Sequence, residues 1–204
     1  GYDAVWRLSN SGFVVRLDGN YLFLDPIFTS PLPAYKAIRE ESIVAERLIT
    51  YRTELKHYRR WENLFKETHQ LPLLPEDVKK ADHLLLTHEH YDHFDPVGLK
   101  KFATLAPKVV APRACHKDLK EITRISHESI TEAEYGLTVE YESFSVQVIP
   151  ANHENTPGAC GYLIKTRYGN FYHPGDGKFD QEAKELVCDL DVDFLLLPIN
   201  DTNL

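Results

Sequence analysis

Residues 88–93 combine three histidines and an aspartate in the pattern H-x-H-x-D-H. Neutral imidazole and carboxylate groups together suit zinc, manganese or iron. We therefore interpret this segment as a metal-binding loop. Because one loop supplies only part of a site for two metal ions, we expect further ligands elsewhere in the chain.

The residues on either side of this loop indicate where it lies in the fold. Residues 82–86, which include three consecutive leucines, predict a short buried strand, and Asp95 followed by Pro96 predicts the beginning of a helix. The loop therefore joins the carboxyl end of a strand to a helix. Open α/β sheets place their ligands at such a position.

Two later strand ends offer further ligands. Residues 149–153 predict a strand running into a loop with His153 at its tip, and residues 171–177 place Asp176 between two glycines. Glycine lets the backbone approach a metal closely and leaves the carboxylate free to bridge two ions. A lone histidine at a strand end is more often structural. We favour such a role for His173 over the alternative, in which it supports a metal ligand without binding the metal. Following H-x-H-x-D-H, however, His153 and Asp176 become candidate ligands.

The rest of the chain predicts strands packed between helices. Asp18-Gly19-Asn20 is a strong hairpin turn, and charged, helix-forming residues at about 34–80 predict a helical insert. Apolar runs predict two further hairpins and a final buried strand at 194–198. This order of elements suits sheets with helices outside them. The predicted strands cover residues 5–8, 12–17, 21–25, 84–86, 109–110, 137–150, 161–166, 170–172 and 194–198.

Composition narrows the class of partner. The 204 residues carry a net charge of −8, which argues against nucleic acid or an anionic membrane as the main partner. No apolar run reaches the length of a transmembrane helix, and no signal peptide is visible. Three widely spaced cysteines predict reduced thiols. We expect a cytoplasmic protein that acts on a small molecule.

The ordered motifs resemble the metallo-β-lactamase superfamily from about Val5 to the end of the chain. The resemblance implies an α/β fold, an αββα sandwich, in a single domain over residues 1–204. It also implies a site for two divalent metal ions, manganese or zinc, at one edge. The family's last ligand, with a helix and a strand, is expected beyond Leu204. By resemblance the first ion is bound by His88, His90 and His153 and the second by Asp92 and His93, with Asp176 bridging and Asp25 orienting a ligand histidine.

Other segments bear on the substrate. Residues 71–78 and 197–201, with the insert, are similar to the L-ascorbate-6-phosphate lactonase group, whose members are cytoplasmic, manganese-dependent lactone hydrolases that often form homo-oligomers. This similarity implies that a metal-bound hydroxide attacks a lactone of a phosphorylated sugar acid. Asp92 would orient the nucleophile and pass its proton to the leaving oxygen. Asn200 and Asp201 are expected to contact the substrate.

Three alternatives stay open at this point. Residues 24–30 and 90–93 are also similar to the N-acyl phosphatidylethanolamine phospholipase D group, which cleaves phosphodiesters. Dioxygenases with a single iron, of the persulfide type, share H-x-H-x-D-H. A relative without catalytic activity would use the same pocket to sense a metabolite. His90 favours a hydrolase, because the flavodiiron oxidoreductases carry glutamate at that position.

Overall fold

A computed structural model describes residues 2–8, 11–28, 73–90, 92–96, 98–153, 156–178 and 181–197, and two β-sheets organise them. The first sheet has six strands in chain order. Strands β1 to β3 pair antiparallel, whereas β3 to β6 run parallel. Its strands are β1 (Ala4–Arg7), β2 (Phe13–Leu17), β3 (Asn20–Leu24), β4 (His83–Leu85), β5 (Lys108–Ala111) and β6 (Ile130–Glu132).

The second sheet has five strands in the order β11-β10-β9-β8-β7. Its pairs are antiparallel except that β11 runs parallel to β10. Helix α1 (Arg113–Glu121) follows β5, and helix α2 (Gln181–Asp189) lies between β10 and β11. The strands are β7 (Thr138–Glu140), β8 (Phe144–Pro150), β9 (Cys160–Thr166), β10 (Gly169–His173) and β11 (Phe194–Leu195).

Apolar side chains fill the space between the sheets and also cover their outer faces. Along β2, Val15 points into the layer between the sheets, whereas Val14 points outward, as the two-residue period of a strand requires. The outer face of the first sheet packs against α1 through Leu119, and that of the second packs against α2 through Leu186. The predicted αββα layering is confirmed.

Several local predictions are also confirmed, while two need correction. The hairpins β2-β3, β7-β8 and β9-β10 lie where the sequence predicted them. Asp95 does accept a hydrogen bond from Gly98 N at 2.8 Å, but the helix that follows is a 3-10 helix, Gly98–Thr104. The last strand was predicted to be buried, yet Phe194 is 47% exposed because β11 is only two residues long and lies at the edge of its sheet.

The predicted helical insert falls mainly outside the described residues. Of the range 34–80, residues 73–80 are described, and they contain one short 3-10 turn, Pro75–Asp77. Within the described parts of the chain, no helix combines the length and apolar character needed to cross a bilayer.

Candidate metal centre

The predicted ligands come together at one edge of the sandwich. Asp25 follows β3 and His88 follows β4, while His153 and Asp176 lie on the loops after β8 and β10. The backbone N–H of Cys160 donates to the carbonyl of Thr87 at 3.0 Å and thereby joins the two sheets at this edge. The site is thus built from strand ends of both sheets.

Two groups of side chains that share His88 could each hold a metal ion. One group is His88, His90 and His153, and the other is His88, His93 and Asp176. Within each group the ligand atoms lie within 4.8 Å of one another. That separation is close to the span of two metal–ligand bonds of about 2.0–2.2 Å. The residues therefore fit a metal ion, and their nitrogen and carboxylate oxygen donors suit zinc, manganese or iron.

The tautomer of His88 follows from its neighbours. Thr87 Oγ1 lies 2.6 Å from Asp25 Oδ2, and because a carboxylate only accepts, the hydroxyl donates to it. The hydroxyl oxygen then accepts from Nδ1 of His88 at 3.0 Å. This leaves Nε2 of His88 with a lone pair, and that buried atom has no hydrogen-bond partner among the described residues. Burial and the nearby His93 hold the pKa of His88 well below its usual range, as a ligand requires.

His93 is held between two carboxylates. Its Nδ1 donates to Asp25 Oδ2 at 2.8 Å, and its Nε2 lies 3.0 Å from Asp176 Oδ1. Burial alone would lower the pKa of His93, but the hydrogen bonds to Asp176 and Asp25 raise it well above the usual value. His93 Nε2 and Asp176 Oδ1 can each donate an electron pair, and they lie 3.0 Å apart. Either a proton or a cation must therefore lie between them.

His90 and His153 also bring two possible metal ligands close together. His90 Nδ1 and His153 Nε2 lie 3.2 Å apart, while the other nitrogen of His90 lies 3.3 Å from Thr156 Oγ1. Thr156 is buried, so its hydroxyl fixes the orientation of the His90 ring. Burial lowers the pKa of His153, and the neighbouring His90 lowers it further. His153 is thereby kept neutral and able to bind a cation.

The structure places the other predicted residues less completely. Asp92 belongs to neither group, although its carboxylate is near enough to act electrostatically on His93 and His153. Asn200 and Asp201 lie outside the described residues. Thr87 and Thr156 could not be identified from the sequence, since a threonine carries no signal in its spacing.

Gly175 makes a contact that the sequence did not predict. It packs against Thr87. It adopts a left-handed φ of +59°, and a Cβ placed there would lie 2.8 Å from Thr87 Oγ1. Glycine at this position therefore protects the hydroxyl that orients His88.

Replacing Gly175 by alanine is expected to destabilise the metal-free protein more than the same change at Gly136. Both glycines have positive φ, but a Cβ at Gly136 would meet nothing within 4 Å. Backbone strain of about 1–2 kcal/mol applies to both, and overpacking against Thr87 adds about 1–3 kcal/mol at Gly175 alone. Urea unfolding measures both changes. Equal losses of free energy would contradict the contact with Thr87.

Metal uptake is expected to release protons and to tighten as the pH rises. Because its pKa is raised, His93 carries a proton at neutral pH in the metal-free protein and must lose it to become a ligand. Below that raised pKa, each pH unit weakens binding by about 1.4 kcal/mol. Calorimetric titration with zinc in two buffers of different ionisation enthalpy tests this. A binding enthalpy that is the same in both buffers would contradict it.

Comparison with known proteins identifies the family. The profile described as a β-lactamase superfamily domain matches residues 59–203, well over half of the chain. The chain belongs to this superfamily. It is 33% identical over 135 residues to a UPF0173 metal-dependent hydrolase of Pyrococcus furiosus, covering 61% of this chain and 57% of the relative. The match to the N-acyl-phosphatidylethanolamine-hydrolyzing phospholipase D 1 of Caenorhabditis elegans is 26% over 132 residues, covering 56% and 37%.

Solved structures of other proteins share the fold. Igni18, a metallo hydrolase from Ignicoccus hospitalis, has a TM-score of 0.58 at 18% identity and covers 90% of this chain and 64% of its own. CmlA, a diiron β-hydroxylase from Streptomyces venezuelae, has a TM-score of 0.63 at 15% identity, covering 95% and 34%. The chain spans 57–58% of the length of the hydrolase relatives from Pyrococcus and Pyrobaculum.

Proposed function

We propose that this chain forms the catalytic domain of a metal-dependent hydrolase. The observation that carries the proposal is the pair of ligand groups that share the buried His88, whose Nε2 has no partner among the described residues. The similarity to the Pyrococcus furiosus hydrolase supports it. We further infer two divalent ions, manganese or zinc, in a cytoplasmic homo-oligomer.

The first group, His88, His90 and His153, would hold one ion. The second ion would be held by Asp92 and His93, with Asp176 shared between the two ions. His93 and Asp176 belong to the second group together with His88, whereas Asp92 is added by the H-x-H-x-D-H pattern. A bound divalent cation lowers the pKa of water toward about 7 and polarises the oxygen of the scissile bond. Thr87 and Asp25 accept hydrogen bonds from Nδ1 of His88 and of His93, respectively, and so turn Nε2 of both rings into the site.

Asp92 is proposed as the catalytic acid and base. Asp92 lies in the same loop as three of the histidines, and its carboxylate interacts electrostatically with His93 and His153. In this role it orients the attacking water, accepts its proton and returns that proton to the leaving oxygen. Asn200 and Asp201 are proposed to contact the substrate.

We infer that the substrate is a lactone of a phosphorylated sugar acid. A phosphodiester is the second candidate, because the chain is similar over 132 residues to a phospholipase D that hydrolyses N-acyl-phosphatidylethanolamine. Both substrates are cleaved by attack of water on an electrophilic centre whose developing negative charge a cation stabilises. The ligand set therefore serves either, and the substrate has to be decided by assay.

The test combines metal analysis with hydrolysis of matched substrates. Protein loaded with manganese or zinc is assayed on 6-phosphoglucono-δ-lactone, glucono-δ-lactone and bis(p-nitrophenyl) phosphate. We expect the phosphorylated lactone to react fastest above the rate without protein, and Asp92→Asn to lower that rate by about 10²–10⁴-fold. His116→Gln, a change outside the site, is the control.

Each other outcome points elsewhere. Hydrolysis of the phosphodiester alone would favour the phospholipase D type of activity. No hydrolysis by the loaded protein, or a rate unaffected by Asp92→Asn, would contradict the proposed mechanism. One iron per chain together with oxygen uptake would identify a dioxygenase instead.

A further inference from the structure

His173 is a fully buried histidine outside both ligand groups. It ends β10, three residues before Asp176, and its side chain has no exposed surface. Nδ1 lies 2.8 Å from the carbonyl oxygen of Leu196, just after β11, and Nε2 lies 3.1 Å from Asp25 Oδ2. The ring of Phe13 packs against it edge-on at 5.6 Å. Both polar atoms of the ring are therefore engaged.

Counting donors defines the state of this ring. A backbone carbonyl and a carboxylate are both acceptors, so each nitrogen of His173 must donate. Asp25 Oδ2 then accepts from three donors, namely Thr87 Oγ1 at 2.6 Å, His93 Nδ1 at 2.8 Å and His173 Nε2 at 3.1 Å. The carboxylate that sets the tautomers of His88 and His93 is itself held in place by His173.

Asp25 needs such support. Its backbone φ is 41°, a left-handed conformation that aspartate adopts more readily than most residues when its side chain forms hydrogen bonds. Its backbone N–H donates to the carbonyl of Leu85 at 3.0 Å, and Oδ1 accepts from Thr87 N at 2.8 Å. The β4 region thus holds one side of the carboxyl group, whereas His173 approaches from the second sheet.

We propose that His173 is a positioning residue that fixes Asp25 across the two sheets and, through Asp25, orients His93 and Thr87 toward the metal centre. This inference rests on the proposed metal-binding function. In this role the second sheet helps to orient ligands that belong to the first sheet, because the ring of His173 joins Asp25 to the backbone at Leu196.

A purely structural role is the alternative, in which His173 only fixes the end of β11 through Leu196. Two substitutions separate these roles. His173→Asn retains a donor near the position of Nδ1, which contacts Leu196, but loses the donor to Asp25. His173→Gln retains a donor near Nε2 and loses the one to Leu196. A positioning role predicts that metal binding follows the bond to Asp25.

The experiment measures zinc affinity by competition with a chromophoric chelator, with urea unfolding of the metal-free proteins alongside. We expect His173→Asn to bind zinc about 10–100-fold more weakly than wild type, and His173→Gln to bind close to wild type. His116→Gln is the matched control, because His116 also contacts a backbone carbonyl, that of Ala111 at 3.0 Å, away from the site. Equal losses in the Asn and Gln variants, or none in either, would overturn the proposal.

A second measurement needs neither zinc nor a variant. Nitrogen-15 spectra of histidine-labelled, metal-free wild type should show an N–H on both ring nitrogens of His173 and on Nδ1 of His93. A bare nitrogen at His173 would overturn the positioning role even if His173→Asn fails to fold. Wild type that binds no zinc or manganese but shows these N–H groups would instead refute the proposed function and support the contact with Asp25.

Discussion

His88→Ala is expected to abolish binding of one metal ion, to weaken binding of the other and to lower hydrolysis by more than about 100-fold. The reason is that His88 belongs to both ligand groups. Loss of a residue that merely supports a ligand already costs about 10–100-fold in affinity or activity, so loss of a shared ligand must cost more. Metal analysis after dialysis, together with the rate on the substrate identified above, measures the effect.

The control replaces a different histidine, His116, which lies outside the site. His116→Ala removes a partly buried ring that contacts the carbonyl of Ala111, and it should leave the metal content unchanged. Retention of two ions per chain by His88→Ala would show that His88 is not a ligand. It would also remove the observation on which the proposed function depends.

Asp25→Ala is expected to destabilise the metal-free protein by about 3–5 kcal/mol at neutral pH. The change leaves donors of His93, His173 and Thr87 without their buried acceptor. Zinc affinity should also fall by about 10–100-fold, because the orientation of His93 is lost. Urea unfolding and chelator competition measure the two effects.

The loss of stability should depend on pH with a definite sign. Burial alone would raise the pKa of Asp25, but hydrogen bonds from His173 and His93 hold it well below its usual value. A lowered pKa stabilises the folded protein above the unfolded value of about 4, and this stabilisation is lost as the pH falls below it. The difference between wild type and Asp25→Ala should therefore shrink by about 1.4 kcal/mol per unit below about pH 4.

Asp118→Asn provides the comparison, since Asp118 is a buried carboxylate on α1, outside the ligand groups. It should leave zinc affinity unchanged. If Asp25→Ala destabilises the protein no more than Asp118→Asn does, or by the same amount at every pH, the hydrogen-bonded network around Asp25 would not contribute as described.

The strands of this chain could be predicted because their positions depend on local sequence. The turn at Asp18 and Gly19 specifies the β2-β3 hairpin, and the apolar run before residue 87 specifies a strand buried on both faces. Prediction was less successful where the type of helix or the burial of a strand depends on neighbouring elements. The helix after Asp95 is a 3-10 helix, and β11 is exposed at an edge of its sheet.

The sequence by itself determined the candidate ligands, because an imidazole or a carboxylate carries its chemistry wherever it lies. The local pattern also put His88, His153 and Asp176 at strand ends. Only the tertiary structure decided which ring nitrogen faces the centre. That choice depends on Thr87, Asp25 and His173, which lie on three different strand ends and meet only when the two sheets pack. Hydrogen bonds between residues 62 to 148 positions apart leave no periodicity in the sequence from which they could be predicted.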